Sequence, residues 1–252
     1  MNEQRPALSL AAVPGRRQRT LDLAREIEQR GFPGIYCPSL SDGLALCEAL
    51  AFTTSEVRFG TSIQPIYTRN VQEFAQMASF IHEVSGGRFD FGVGVSHEPA
   101  MNRLGIKQGG NLWPICETLL KIFAPSPGWR ISSHYLRDLA EKNDSTVGDP
   151  RQWNGVCQRA RSHMETSLAV VSNQSRSNDD FFIGNMIPTC IHDDEEAAKA
   201  VNRRTLSSYA MLPNYRNYWK EAGYEEEMEA VEAALRKATS TRLLLVCPIV
   251  GF

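Results

Sequence analysis

No stretch of this chain reaches the roughly 18 consecutive apolar residues that a membrane-crossing helix needs, and its first residues hold no apolar core of a secretory leader. Neither sign of charge dominates: Lys and Arg number 27 against 29 Asp and Glu, interspersed along the chain. Without a basic block, nucleic acids and other polyanions find no footprint. Cysteine is sparse. Cys37, Cys47, Cys116, Cys157, Cys190 and Cys247 are scattered, with no C-x-x-C pair. A structural zinc site needs closely spaced ligand pairs, so no metal is expected. Most of these cysteines lie in apolar surroundings and read as small buried hydrophobes. A G-x-S-x-G nucleophile elbow and a metal triad are also missing, which argues against a hydrolase. These absences leave a cytoplasmic protein that meets small molecules or protein surfaces, with neither nucleic acid nor membrane as partner.

What is present is the material of one large α/β domain. Of 252 residues, 42% are hydrophobic and 22% charged, an ordinary balance for a sizeable core. Residues 7–13 form a short apolar run suited to a buried parallel strand. Leu21, Leu23, Ala24 and Ile27 then recur at helical spacing, and Gly31 stops that helix. Ile35, Tyr36 and Cys37 make a second strand, and Ser41 or Asp42 caps a helix carrying Leu44, Leu46, Ala49 and Leu50. Residues 57–66 read as a third strand. Asn70 caps a helix with Phe74, Met77, Ala78 and Ile81, ended by Ser85-Gly86-Gly87. Residues 88–95 complete the series as a fourth strand.

Successive βα units predict a parallel sheet with right-handed crossovers, either doubly wound or closed into a barrel. The residue count per unit fits a barrel, whose functional groups gather at the C-terminal ends of the strands. After a helix at 112–124 the rhythm breaks. Residues 125–158 carry turn chemistry such as Asn143-Asp144-Ser145 and no convincing apolar strand. A strand at 181–191 comes next, then a helix capped by Asp193 or Asp194 and running to Met211. Helices at 215–222 and 225–238 precede an apolar tail. The chain is read as a single domain over 1–252, irregular at 125–158 and atypical at 239–252.

Two motifs in fixed order carry more. Gly60-Thr61-Ser62-Ile63-Gln64-Pro65-Ile66-Tyr67-Thr68-Arg69 resembles the third-strand motif of the luciferase-like flavin-dependent oxidoreductases, the bacterial luciferase family. Ser85-Gly86-Gly87-Arg88-Phe89, continuing to Gly92-Val93-Gly94-Val95-Ser96-His97, resembles that family's fourth strand. Asn102-Arg103-Leu104-Gly105 and Lys107-Gln108-Gly109 are similar to the loop and helix start after that strand. The likeness resumes at Ala160-Arg161-Ser162-His163-Met164, at Ile183-Gly184-Asn185-Met186-Ile187-Pro188 and at Tyr209-Ala210-Met211-Leu212-Pro213-Asn214-Tyr215. It covers residues 7–124 and about 159–238. It lapses where relatives place a fifth strand and helix, and again beyond 239, where they add further βα units. The resemblance implies a (β/α)8 TIM barrel of the luciferase-like type, here incomplete. It implies FMN or coenzyme F420 as cofactor and a small organic substrate, and relatives dimerise through early helices.

The resemblance also assigns roles. In the family the third strand carries a bulge with a non-prolyl cis peptide that supports the flavin ring from behind, and Ser62, Ile63 and Gln64 match it. On residue types alone they form a plain buried strand ending at Pro65. Gly94 and Ser96, with Gly92, let a backbone approach a flat ligand, or serve tight strand–helix packing. His97, at the strand end, is the candidate catalytic residue, a proton relay near neutral pH; the bland alternative is a loop histidine. Arg161 and Ser162 resemble a loop near the cofactor phosphate in relatives, and a basic residue with a hydroxyl at a helix start suits a phosphate. They also suit a solvated helix end. Ser39, Tyr67 and Arg69 are candidate substrate contacts. Arg69 offers a bidentate grip on an anion, or a salt bridge to an acid such as Glu73. Tyr215, Tyr218 and Trp219 read as core or subunit-interface aromatics. Two functions stay open: a luciferase-like oxidoreductase or monooxygenase, and an inactive paralogue serving as a non-catalytic flavin-binding or partner protein.

Overall fold

A computed structural model describes residues 5–94, 96, 98–106, 130–133, 153–156, 183–184 and 186–237. The chain divides into two compact units, one of residues 1–156 with 179–183 and one of residues 157–178 with 184–252.

The first unit is built on a parallel sheet. Its strands are β1 (Leu8–Ser9), β2 (Gly34–Cys37), β3 (Arg58–Thr61), β4 (Gln64–Pro65), β5 (Phe89–Gly94), β6 (Arg130–Ser133) and β7 (Trp153–Val156). With β8 (Ile183–Gly184) the order is β1-β2-β3-β5-β6-β7-β8, and β4 pairs with β5 beside β3. Strands succeeding one another in chain order, all parallel where their register is described, are what a luciferase-like TIM-barrel sheet requires. The structure corrects the sequence pattern at the third strand and in the segment 125–158. The expected third strand over 57–66 is broken into β3 and β4. The segment 125–158 holds two strands, β6 and β7, whose sequences Arg-Ile-Ser-Ser and Trp-Asn-Gly-Val show no apolar run. Such short strands are set by the neighbour they pair with, not by their own composition.

Three helices accompany these strands: α1 (Arg17–Gln29), α2 (Gly43–Thr53) and α3 (Val71–Val84). A short α4 (Glu98–Arg103) comes after β5. Asp42 caps α2 by accepting from the Ala45 amide, and Asn70 caps α3 by accepting from Gln72, each cap contributing about 1 kcal/mol. The helices cover one face of the sheet. Ile35, Cys37, Phe59, Phe89, Phe91 and Val93 point into that core, together with Leu44, Leu50, Phe74 and Ile81 from the helices. Side chains alternate along a strand, so Tyr36, Asp90, Gly92 and Gly94 belong to the opposite face.

The Arg of the Ser-Gly-Gly-Arg-Phe motif is a structural bolt. Arg88 donates to the Ala51 and Thr54 carbonyls at the end of α2, to the Val57 and Ser85 carbonyls, and to the Thr54 hydroxyl. Its guanidinium also lies 5.2 Å from the centroid of the Phe59 ring. Close by, one carboxylate oxygen of Glu28 accepts the Ser55, Glu56 and Val57 amides at 2.9, 2.7 and 2.9 Å. Burial pushes the Glu28 carboxyl up. The Glu56, Val57 and Ser55 amides and the charge of Arg88 outweigh it and hold the group below its ordinary range. All of this lies at the N-terminal ends of β3 and β5, the end of such sheets that serves stability.

The second unit contains α5 (Glu195–Ala210), α6 (Pro213–Glu221) and α7 (Glu225–Arg236). Asp194 caps α5 through the Glu196 and Ala197 amides. Tyr215 and Trp219 are core residues here, packed with Ala210, Met228, Val231 and Ala234. The buried Arg216 is satisfied by the Ala210 carbonyl at 2.8 Å and by Glu232. The strand expected over 181–191 is cut back to the two-residue β8, and residues 186–191 form no strand. The expected helix at 112–124 and the tail at 239–252 lie outside the described residues. Among the described residues, no helix is long and apolar enough to cross a membrane.

Candidate functional site

The break between β3 and β4 lies toward the C-terminal ends of the strands, where such folds carry their ligands. The peptide bond joining Ser62 to Ile63 is cis, at the position where the resemblance implies one. The bend is stapled on both sides. Toward β2, the Ser62 amide donates to the Cys37 carbonyl at 2.8 Å. Toward β5, the Thr61 hydroxyl donates to the Gly92 carbonyl at 2.7 Å and accepts the Gly92 amide at 2.9 Å. Pairing then resumes with Gln64 opposite Val93 and Pro65 opposite Gly94.

Glycine is required at one point of this junction. A Cβ on Gly60 would stand 2.3 Å from the Asp90 carbonyl oxygen, so only a residue without a side chain lets β3 lie this close to β5 there. Gly92 and Gly94 alternate with the core residues Phe91 and Val93 and leave a strip of bare backbone on the face away from the helices. Beside that strip lie the buried Ser62, the half-buried Ile63 and the half-buried Ser96. A strip of backbone without side chains leaves room for a flat group to lie close against it. Further down the same face, the buried Asp90 carboxylate is balanced by Arg58 at 2.6 Å and accepts the Tyr36 hydroxyl at 3.4 Å.

Gln64 is turned the other way. Its carboxamide donates to the Thr68 hydroxyl at 3.4 Å, and that hydroxyl donates to the Pro65 carbonyl at 2.7 Å. A Cβ on Gly43, the first residue of α2, would meet Thr61 Cγ2 at 3.5 Å and Gln64 Oε1 at 3.7 Å. The start of α2 therefore backs the bend, with Gln64 between them. Behind it, burial pushes the Cys47 thiol well up, with Cys37 adding to the effect, and both cysteines act as packing groups.

The other candidate residues are dispersed. Ser39 is exposed in the loop after β2, and Tyr67 is half-buried in the 3-10 turn Ile66–Thr68. Arg69 forms its salt bridge with Asp42 at 2.5 Å instead of with Glu73, because the start of α2 is brought beside it. His97, Arg161 and Ser162 lie outside the described residues. Sequence reasoning missed Thr61 as the staple to Gly92 and Asp42 as the partner of Arg69. In the sequence Asp42 stands out as a helix cap and, with Ser39 and Ser41 after the second strand, as a residue of the substrate side. Ser41, just before it, has φ of +121°, a conformation that non-glycine residues adopt only where their surroundings impose it.

Residues 1–112 match the family model of luciferase-like monooxygenases. Among curated proteins, the 5,10-methylenetetrahydromethanopterin reductase of Methanolobus tindarius is 29% identical over 86 residues, covering 33% of this chain. That match spans 26% of the relative's own length. Among solved structures, the coenzyme F420-dependent tetrahydromethanopterin reductase from Methanopyrus kandleri aligns over 97% of this chain and 83% of its own. Its TM-score is 0.71 at 13% identity. The oxygenating constituent of 3,6-diketocamphane monooxygenase from Pseudomonas putida, a type II Baeyer-Villiger monooxygenase solved with FMN, aligns over 88% of this chain and 78% of its own. Its TM-score is 0.58 at 14% identity. At such identities these structures speak for the fold.

Proposed function

We propose that this chain, whose residues 1–112 match the family model of luciferase-like monooxygenases, is a flavin- or F420-dependent oxidoreductase acting on a small organic substrate. The observation that carries this reading is the pairing of Gln64 and Pro65 with Val93 and Gly94, which sets the bend at Ser62 and Ile63 against the bare strip at Gly92 and Gly94. When bound there, FMN or F420 would supply the redox chemistry. The protein's part is to seat the ring, orient it and exclude water. Ser62 and Ile63 form the support on one side, Gly94 and Ser96 the wall on the other, and Gln64 braces the support from behind. His97, next in sequence after Ser96, is assigned proton transfer, because an imidazole changes charge near neutral pH. Arg161 and Ser162 are assigned to the cofactor phosphate, and Ser39 and Tyr67 to the substrate side.

A homodimer accompanies this reading. Phe52 on α2 and Phe80 on α3 are 68% and 46% exposed and lie against each other, tilted by 50°, with ring centroids 6.4 Å apart. Such a pair on adjacent helices suits a subunit contact. A reducing cytoplasm suits the free thiols of Cys37, Cys47 and Cys190.

The test is direct binding. FMN and F420 are added separately to the full chain and cofactor fluorescence is recorded. Micromolar quenching of either supports the oxidoreductase. Its absence for both, with a folded protein, overturns the reading and favours the non-catalytic paralogue.

A further inference from the structure

We propose that the ion pair between Arg69 and Asp42 is a positioning device for the ring seat: it presses the start of α2 against the back of residues 61–64, so that seat geometry depends on charges lying behind the ligand. This inference rests on the function proposed above and adds to it a residue pair with an indirect role.

The contacts run in a short chain. Arg69 Nη2 pairs with Asp42 Oδ2, while its Nη1 lies 2.9 Å from Met77 Sδ on α3. One guanidinium thus joins the cap of α2 to α3. The other Asp42 oxygen, Oδ1, accepts the Ala45 amide at 3.2 Å. The same carboxylate therefore caps the start of α2 and holds the arginine. Gly43 comes directly after it, and a Cβ there would lie in ordinary contact with Thr61 Cγ2 at 3.5 Å and Gln64 Oε1 at 3.7 Å, so the first turn of α2 abuts residues 61–64. Gln64 in turn bonds Thr68, the residue before Arg69. The loop feeding Asp42 includes Ser41 at φ +121°, so its path is imposed by neighbours, and the ion pair is the contact immediately beyond it. The side chains of Arg69 and Asp42 are 26% and 43% exposed. An ion pair that wet contributes little to global stability. Its effect is local, on the placement of the first turn of α2.

The test uses the full chain with whichever of FMN or F420 binds. Arg69→Gln is expected to weaken affinity by about two- to five-fold, with the melting temperature nearly unchanged, in line with the worth of a partly exposed pair. Asp42→Asn keeps a capping oxygen and is expected to weaken affinity to the same degree. Arg69→Lys, which keeps the charge, should retain most of it. The absorption band of the bound ring should shift in shape for Arg69→Gln and not for Arg25→Gln, which breaks the exposed pair with Asp22 on α1. Wild-type affinity in both Arg69→Gln and Asp42→Asn overturns the positioning role alone. Equal loss in Arg69→Lys and Arg69→Gln also overturns it. If Arg69→Gln does not fold, Asp42→Asn decides. No binding by the wild-type chain instead removes the proposed function, and this inference with it.

Discussion

The carbonyl oxygen of Asp90 occupies the place where Gly60 would carry a side chain, 2.3 Å from the ideal Cβ position. The contact is backbone against backbone, so no side-chain rotation relieves it. Gly60→Ala is expected to destabilise the protein by about 1–3 kcal/mol, the range for overpacking in a dense interior. Because the shift is forced next to the Thr61 staple, cofactor affinity should fall with it. Urea denaturation together with a fluorescence titration checks both. A mutant as stable as the wild type would mean that β3 and β5 are further apart than described.

Ser62 is buried beside the bare strip of β5. Ser62→Trp is expected to fill the ring seat and abolish FMN or F420 quenching while the circular dichroism spectrum stays the same. Unchanged affinity in a folded Ser62→Trp protein would take the third-strand motif out of the cofactor site.

Arg88 makes its five donations to four carbonyls and one hydroxyl. Arg88→Met leaves those acceptors partly buried and unpaired. The expected cost is about 2–3 kcal/mol of stability, with little change in ring affinity for the fraction that stays folded. A large affinity loss without destabilisation would move Arg88 from the stability end of the sheet to the site.

Glu28 carries a pH dependence of defined sign. Its carboxyl is held below the ordinary value of 4.5 in the folded chain, so its stabilisation is complete above the unfolded value and is lost as pH falls through the folded one. Glu28→Gln is expected to lower stability by about 1 kcal/mol at neutral pH, the worth of a charge-assisted bond over a neutral one. The gap between mutant and wild-type melting temperatures should then narrow on acidification below pH 4.5. A gap that stays constant from neutral to acid would show that the Glu28 charge contributes nothing.

Much of this molecule is local enough to be read along the chain. The caps Asp42, Asn70 and Asp194, the apolar spacing of α1 to α3 and the order of the two glycine-bearing motifs depend on residues a few positions apart, and they stand in the structure close to where their patterns place them. The break at Ser62 and Ile63 is legible through the family resemblance, since residue types alone describe an unbroken strand. Other features have no local signature. β6 is a strand because β5 offers an edge to pair with, and β7 because β6 then offers the next one. Arg69 chose Asp42, 27 positions away, over Glu73, four positions away, because packing of α2 against the bend delivers that carboxylate to it. Periodicity and capping act over one turn of chain, and the sequence determined them by itself. Which strand edge is vacant, and which of two equally charged acids lies within reach of a guanidinium, are questions of distance in space. Only the tertiary packing, whose contacts join distant parts of the chain, decided those.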